Sequence, residues 1–221
     1  MKHYVIAVDG PAAAGKSTIS KRLAKILGFT YIDTGAMYRA FTEYVLRKGV
    51  DPKDEQACCA LIPEVEIELF PDGKVVCSGK DVTREIREPH VSGNVSYIAS
   101  YKEIRLALVE LQRKMGEKSS VIMDGRDIGT YVFPNADVKI FQVASVEERA
   151  KRRYIENQEK GIPCTYEDIV ADVEKRDRID SSRAFAPLKP AADSILLDTS
   201  NFTIEESAEA ALKIIKDKIG E

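Results

Sequence analysis

Residues 10 to 17 read Gly10-Pro11-Ala12-Ala13-Ala14-Gly15-Lys16-Ser17, a complete G-x-x-x-x-G-K-[ST] spacing. Such a loop carries chemistry only between a strand and a helix. Both are expected here. Residues 4–8 form a short β-rich apolar run, and Ile19, Leu23, Ile26 and Leu27 recur at helical spacing. The glycines let the backbone turn tightly, so that N–H groups and the helix N-terminus, with Thr18 next in line, face phosphate oxygens. Lys16 would then reach the β- and γ-phosphates, and Ser17 would hold Mg2+. A bound nucleoside triphosphate is the expectation. The fate of its γ-phosphate must be read elsewhere in the chain.

The 221 residues suffice for one α/β core with an insertion, or at most two small domains. With 44% apolar and 31% charged residues the composition is that of a soluble globular protein. A formal net charge of −3 argues against a chain whose main task is to coat nucleic acid. No apolar run reaches membrane-spanning length, and the short apolar stretch before Asp9 is too brief for a secretory signal. Cys58, Cys59, Cys77 and Cys164 make no C-x-x-C pair, so free thiols in a cytoplasmic chain are expected rather than a zinc site. His3 and His90 read as surface or loop residues.

Five segments have the look of buried parallel strands, apolar on both faces: residues 4–8, Thr30–Asp33, residues 121–124, Val138–Val143 and Ile195–Asp198. Helical patterns alternate with them. The helix Lys16–Leu27 runs into Gly28, a plausible C-cap. The last helix opens with Thr203 and Glu206 at capping-box spacing and carries Ile204, Ala208, Ala211, Leu212, Ile215 and Ile219 on one stripe. This order implies a doubly wound parallel sheet with helices on both faces.

Two stretches depart from the alternation. Between the second and third strands lie residues 64–70, the turn Pro71-Asp72-Gly73 and residues 74–78, which read as a hairpin. Residues 81–83 add a short third strand, and a helix follows around Ile104, Leu108, Leu111 and Met115. The insertion suits a small substrate-binding subdomain, or else a decorative or oligomerising one. Residues 147–183 are charged and helical, with a turn at Gly161-Ile162-Pro163.

Ligands of such sheets gather at the carboxyl ends of the strands. The second strand ends in Asp33-Thr34-Gly35-Ala36-Met37-Tyr38-Arg39. Thr34 and Arg39 there suit a second phosphate, and equally a helix cap with a solvated charge. The third ends in Asp124-Gly125-Arg126-Asp127-Ile128-Gly129, which places Asp124 beside Ser17 and the metal. Arg126 and Asp127 would be costly at a strand end unless paired or used. Arg176, Asp180 and Arg183 share one helix face, which in isolation reads as a solvated salt-bridge face. Arg149, Arg152 and Arg153 form a mobile-looking basic segment, suited to closing over a triphosphate. Glu147, Glu148, Glu156 and Glu159 dilute it as a nucleic-acid patch.

Together these motifs, with Thr130, Asp177 and Ala186-Pro187-Leu188, resemble those of bacterial cytidylate kinases within the nucleoside monophosphate kinase family. The resemblance covers essentially the whole chain, hairpin included. The phosphate loop is shared by very many families; the second and third motifs in this order are specific. The resemblance implies a P-loop, five-stranded parallel sheet and the reaction of Mg·ATP with CMP or dCMP, giving ADP and CDP or dCDP, in pyrimidine nucleotide metabolism. It implies one domain: a core (1–33, 106–148 and 184–221), an acceptor-binding region with the insertion (34–105), and a lid with its following helix (149–183). It places Thr34, Arg39, Arg126 and Arg183 at the acceptor phosphate, Ser96, Arg105 and Asp127 at cytosine, and Arg176 and Asp180 at the ribose. Ser17 and Asp124 would hold the metal, and Lys16, Arg126, Arg149, Arg153 and Arg183 would supply positive charge to the transfer. It implies a cytoplasmic monomer acting on small molecules, without nucleic-acid or membrane partners. Thr34 stands where relatives often carry serine, and keeps the hydroxyl. Adenylate, uridylate, shikimate and dephospho-coenzyme A kinases share the core, so the acceptor is the alternative within the class. A guanine-reading N-K-x-D element is absent, which leaves a nucleotide-dependent switch without its usual base selector.

Overall fold

The computed structural model describes residues 3–220. Strand β1 (Val5–Asp9) leads through the glycine loop into α1 (Lys16–Leu27), followed by β2 (Thr30–Asp33) and α2 (Thr34–Arg47). The insertion comprises α3 (Glu55–Ala60), the short strands β3 (Ile67–Leu69), β4 (Val75–Cys77) and β5 (Lys80–Asp81), and the one-turn helices α4 (Pro89–Ser92) and α5 (Val95–Ile98). Helix α6 (Lys102–Gly116) returns the chain to β6 (Val121–Gly125), a π-helical turn (Ile128–Val132) and β7 (Val138–Val143). The charged stretch forms α7 (Val146–Glu159) and α8 (Tyr166–Ser182), and β8 (Ile195–Asp198) and α9 (Ile204–Ile219) complete the fold.

The large sheet has the order β2-β6-β1-β7-β8 and is parallel throughout. Side chains alternate across it. Ile6, Val8, Ile122 and Ile140 pack against Ile19 and Leu23 of α1 and Ala208, Ala211 and Ile215 of α9. Ala7, Val121 and Met123 face the other way, toward Val109 of α6 and Ile128 and Val132 of the π turn. The expected burial on both faces holds for β1, β6 and β7, but not at the edges: Thr30 is exposed and Leu196 is 65% exposed. An edge strand has one neighbour fewer and need not be apolar on both sides.

Both sequence-read caps are present. Gly28 adopts φ 68°, and its N–H closes onto Ala24 O. Thr203 and Glu206 exchange both capping-box hydrogen bonds. Ile204 is the exception on its stripe, 54% exposed in the first turn of α9. The hairpin of the insertion forms as β3 and β4. The third strand comes earlier than residues 81–83, because the Asp81 carboxylate accepts the Thr83 N–H (3.0 Å) and turns the chain there. The insertion is not a loose appendage. Its Cys58, Ile67, Val75, Cys77 and Ile86 share one core with Met37, Phe41 and Tyr44 of α2 and Ile104 and Leu108 of α6. Helices α7 and α8 pack on each other through Ala150, Ile169 and Val173. His3 and His90 are exposed, as expected.

The exit of β1 is sterically tight. A Cβ on Gly10 would lie 1.9 Å from the carbonyl oxygen of Gln142, on the neighbouring strand. That obstacle is backbone and cannot swing aside. Gly10→Ala is therefore expected to lose about 3 kcal/mol of unfolding free energy in urea titration, at the upper end of overpacking costs.

Candidate active site

One cavity of about 650 Å3 opens along the carboxyl ends of β1, β2 and β6. Residues Ala13 to Thr18 are part of its lining, whereas Gly10, Pro11 and Ala12 are not. The loop holds its open shape through left-handed backbone at Ala13 (φ 59°) and Gly15 (φ 89°). Gln142 of β7 supports it from behind, its amide donating to Ala14 O at 2.7 Å. Lys16 is 5% exposed and donates to Pro11 O at 2.7 Å. Burial, reinforced by the nearby Arg126, pulls its ammonium down to about 7.

The expected neighbour of the loop is in place. Ser17 Oγ donates to Asp124 Oδ2 at 2.7 Å, and Tyr31 Oη donates to Asp124 Oδ1 at 2.7 Å. Thr34 Oγ1 donates to the Asp124 carbonyl, also at 2.7 Å. Burial, and then the adjacent Asp33, push the Asp124 carboxyl up from its ordinary value. A hydroxyl and one carboxylate, both hard oxygen donors, fit Mg2+, which keeps waters and takes its other ligands from phosphates. Among the described residues no group of three or more His, Cys, Asp or Glu could hold a metal, which disfavours an all-protein cage.

Farther along the cavity the charges are buried and mutually paired. Arg39 Nη2 lies 3.0 Å from Asp33 Oδ2. Arg126 Nε donates to Asp180 Oδ2 at 2.9 Å. Arg105, 1% exposed, pairs with Asp127 and donates to Ala99 O at 2.9 Å. Its guanidinium stands 5.3 Å from the Tyr38 ring centroid. Arg183 Nη2 approaches Asp127 Oδ1 at 3.6 Å. Ser96, itself buried, lines the same cavity. Burial alone would raise the Asp180 carboxyl, but Arg126, Arg176 and Arg183 outweigh it and hold it low. Burial, then Arg153 and Arg126, bring Arg176 down to about 10. Five donors here have no hydrogen-bond partner though buried: Tyr38 Oη, Arg39 Nε, Arg105 Nε, Arg176 Nε and Arg183 Nη2. Buried donors left open beside a cavity mark where a ligand's acceptors belong.

The solvated face that Arg176, Asp180 and Arg183 would show on an isolated helix does not form: they are 9%, 4% and 7% exposed and line the cavity. The docking of α8 onto the body, which residue spacing alone does not reveal, buries them. One expectation needs correcting, that of Arg149, which is not a mobile arginine. It is 4% exposed, donates to Ala144 O (2.9 Å) and Ala12 O (3.1 Å), and grips Asp177 at 3.1 and 2.6 Å. It ties α7 and α8 to the underside of the loop. Arg152 and Arg153 do line the cavity, Arg152 with Nη2 donating to Thr199 O at 2.6 Å.

Sequence reading missed Tyr31, Gln142 and Asp9. Tyr31 alternates in step with Asp33 toward the carboxyl end of β2, a period-two signal that was available. Nothing in the sequence marks Gln142, whose role depends on strand order. It also missed the apolar residues Ile162, Phe202 and Ile204 in the cavity lining.

Comparison with known proteins agrees with this geometry. The cytidylate kinase family model matches residues 6–217. The cytidylate kinase of Bacillus licheniformis is 51% identical over 98% of both chains. That of Bacillus subtilis is 48% identical, also over 98% of both, and that of Desulfitobacterium hafniense is 49% identical over 99% of this chain and 95% of its own. Among solved structures, an uncharacterized protein from Eubacterium ventriosum superposes with a TM-score of 0.55 at 16% identity, covering 98% of this chain and 99% of its own. A gluconokinase from Sinorhizobium meliloti gives 0.53 at 10% identity, over 98% and 94%. At those identities the structures speak for the fold alone. A family model spanning nearly the whole chain, and relatives at about half identity along its full length, place this chain in the cytidylate kinase family.

Proposed function

We propose that the cavity is the active site through which this cytidylate kinase family member, a phosphotransferase, phosphorylates CMP and dCMP with ATP, yielding CDP or dCDP and ADP. The observation that carries the residue-level reading is the make-up of one cavity's lining. It joins the phosphate loop, a buried Arg105–Asp127 pair and the further arginines Arg39, Arg126, Arg176 and Arg183.

Lys16 and the N–H groups of residues 13–18 hold the donor's phosphates, and the apolar Phe202 and Ile204 in the lining suit its adenine. Ser17 and Asp124 hold Mg2+, which supplies charge neutralisation on the phosphates when bound. Thr34, Arg39, Arg126 and Arg183 hold the acceptor phosphate in line with the donor. Arg39 exchanges its Asp33 partner for that phosphate. Lys16, Arg126, Arg153 and Arg183 then stabilise charge spread over the transferring oxygens, and Arg149 contributes by holding the loop. A loose transition state asks for positioning and positive charge, not a covalent intermediate. Asp127 accepts from the cytosine amino group at position 4 and repels the carbonyl that uracil carries there, while Arg105 donates to the ring's acceptors. Ser96 adds a hydroxyl beside them. Arg176 and Asp180 meet the ribose.

In this reading the core, the acceptor region 34–105 and the lid with its helix 149–183 work as one domain. Small-molecule rather than nucleic-acid substrates are supported by the net charge of −3, and a cytoplasmic setting by four free cysteines. No described helix is long and apolar enough to cross a membrane.

The test is ADP formation from Mg·ATP with CMP, dCMP, UMP, AMP and GMP in turn. High turnover confined to CMP and dCMP supports the site; a preference for another acceptor removes Ser96, Arg105 and Asp127 as cytosine readers. Asp127→Asn should shrink the CMP-to-UMP ratio of kcat/KM by about tenfold or more, since an amide no longer repels a carbonyl. The two arginines of α7 should separate. Arg149→Ala is expected to cost about 3–5 kcal/mol of stability in denaturant melts, because it strands Asp177 and two carbonyls. Arg153→Ala should leave stability unchanged within about 0.5 kcal/mol and lower kcat.

A further inference from the structure

Asp9 ends β1 and is 5% exposed, yet it does not line the cavity. Its carboxylate receives two backbone donors, Ile128 N–H on Oδ1 at 2.8 Å and Gly129 N–H on Oδ2 at 2.7 Å. These are the two residues that follow Asp127. An ionised carboxylate accepts on both oxygens, so it suits two parallel N–H groups. An asparagine would turn a donor toward one of them. Burial is costly for such a group: it pushes the Asp9 carboxyl up to about 6, against the pull of Gly129 and Ile128.

The turn needs this support. Asp127 has φ −148° and ψ 23°, outside the regular regions. Its carbonyl is held by the N–H groups of Tyr131 (2.8 Å) and Val132 (3.1 Å). The peptides after it are held by Asp9. Gly129 fits closely between the same groups: a Cβ there would sit 3.1 Å from Lys139 Cδ and 3.4 Å from Asp9 Oδ2.

We propose that Asp9 is a positioning residue for acceptor choice, clamping the Ile128 and Gly129 peptides so that Arg126 and Asp127 are presented at a fixed pitch. Asp9 touches no substrate. It immediately precedes Gly10, so the clamp also fixes the acceptor-reading turn relative to the loop that holds the donor. This rests on Asp127 reading the acceptor base.

Asp9→Asn in the full chain tests it, with kcat and KM measured for CMP and UMP at saturating Mg·ATP, and ATP-analogue affinity measured separately. The expected result is a fall in kcat/KM for CMP of about tenfold to a hundredfold, the loss associated with one charge-assisted hydrogen bond. Most of it should appear in acceptor KM, with a reduced CMP-to-UMP ratio and ATP-analogue affinity kept within about threefold. A merely structural role would lower thermal stability and scale all acceptors alike. A folded variant with the wild-type CMP-to-UMP ratio and acceptor KM overturns the proposal for Asp9 alone. A wild-type enzyme that does not prefer CMP overturns the Asp127 reading and this proposal with it. Should Asp9→Asn not fold, amide exchange in the wild-type protein decides. Slow exchange at Ile128 and Gly129, slowed further by CMP, supports the clamp; exchange at open-loop rates, or no response to CMP, refutes it.

Discussion

The parallel register of three strands fixes everything else in this molecule. Asp9 stands opposite Gly125, and Asp33 opposite Asp124, so the three carboxyl ends finish within one residue of each other. The phosphate loop leaves from the first, helix α2 from the second and the Asp124–Gly129 turn from the third. Their mutual distances are set by a backbone ladder, not by side chains. The Ser17–Asp124 contact follows from that ladder, and so does the Thr34 bond to the Asp124 carbonyl. Motifs far apart in sequence thus meet with little freedom to drift, which is what positioning catalysis requires.

The second constraint is charge. Lys16, Arg39, Arg105, Arg126, Arg176 and Arg183 crowd one cavity with Asp33, Asp124, Asp127 and Asp180. Such groups are tolerable at low exposure only when paired. They pair with each other, Arg39 with Asp33 and Arg126 with Asp180. Positive groups predominate, and several guanidinium nitrogens have no acceptor. The site is therefore short of negative charge and acceptors by construction. An anionic ligand rich in acceptors complements such a lining and competes with the pairs Arg39–Asp33 and Arg126–Asp180.

What could be read from the sequence was local. The loop, the strand runs, the Gly28 and Thr203 caps and the two strand-end motifs each depend on neighbours within one or two turns, and each appears where periodicity put it. What could not be read depends on packing partners. Nothing local distinguishes Arg176 and Asp180 from a surface pair, because only α8's contact with the body removes them from water. Nothing local assigns Gln142 to the loop or Asp9 to the Ile128 and Gly129 amides, because both contacts require the order of strands. The edge strand β8, Ile-Leu-Leu-Asp, reads as a buried strand just as β7 does, and its exposure follows from its place at the edge of the sheet.

Helix α7 shows the same limit within one short run. Arg149, Arg152 and Arg153 look interchangeable as a basic cluster, and their spacing puts them on adjoining faces of one helix. Depth separates them. Arg149 lies in the first turn, close to the end of β7, where it meets Ala12 and Asp177 and has no water to retreat into. Arg153 is one turn later, about 5–6 Å farther along the axis, and reaches open cavity. One residue type therefore serves two ends. The inner arginine makes the loop, α7 and α8 one body, and the outer one can meet a phosphate because that body is already fixed.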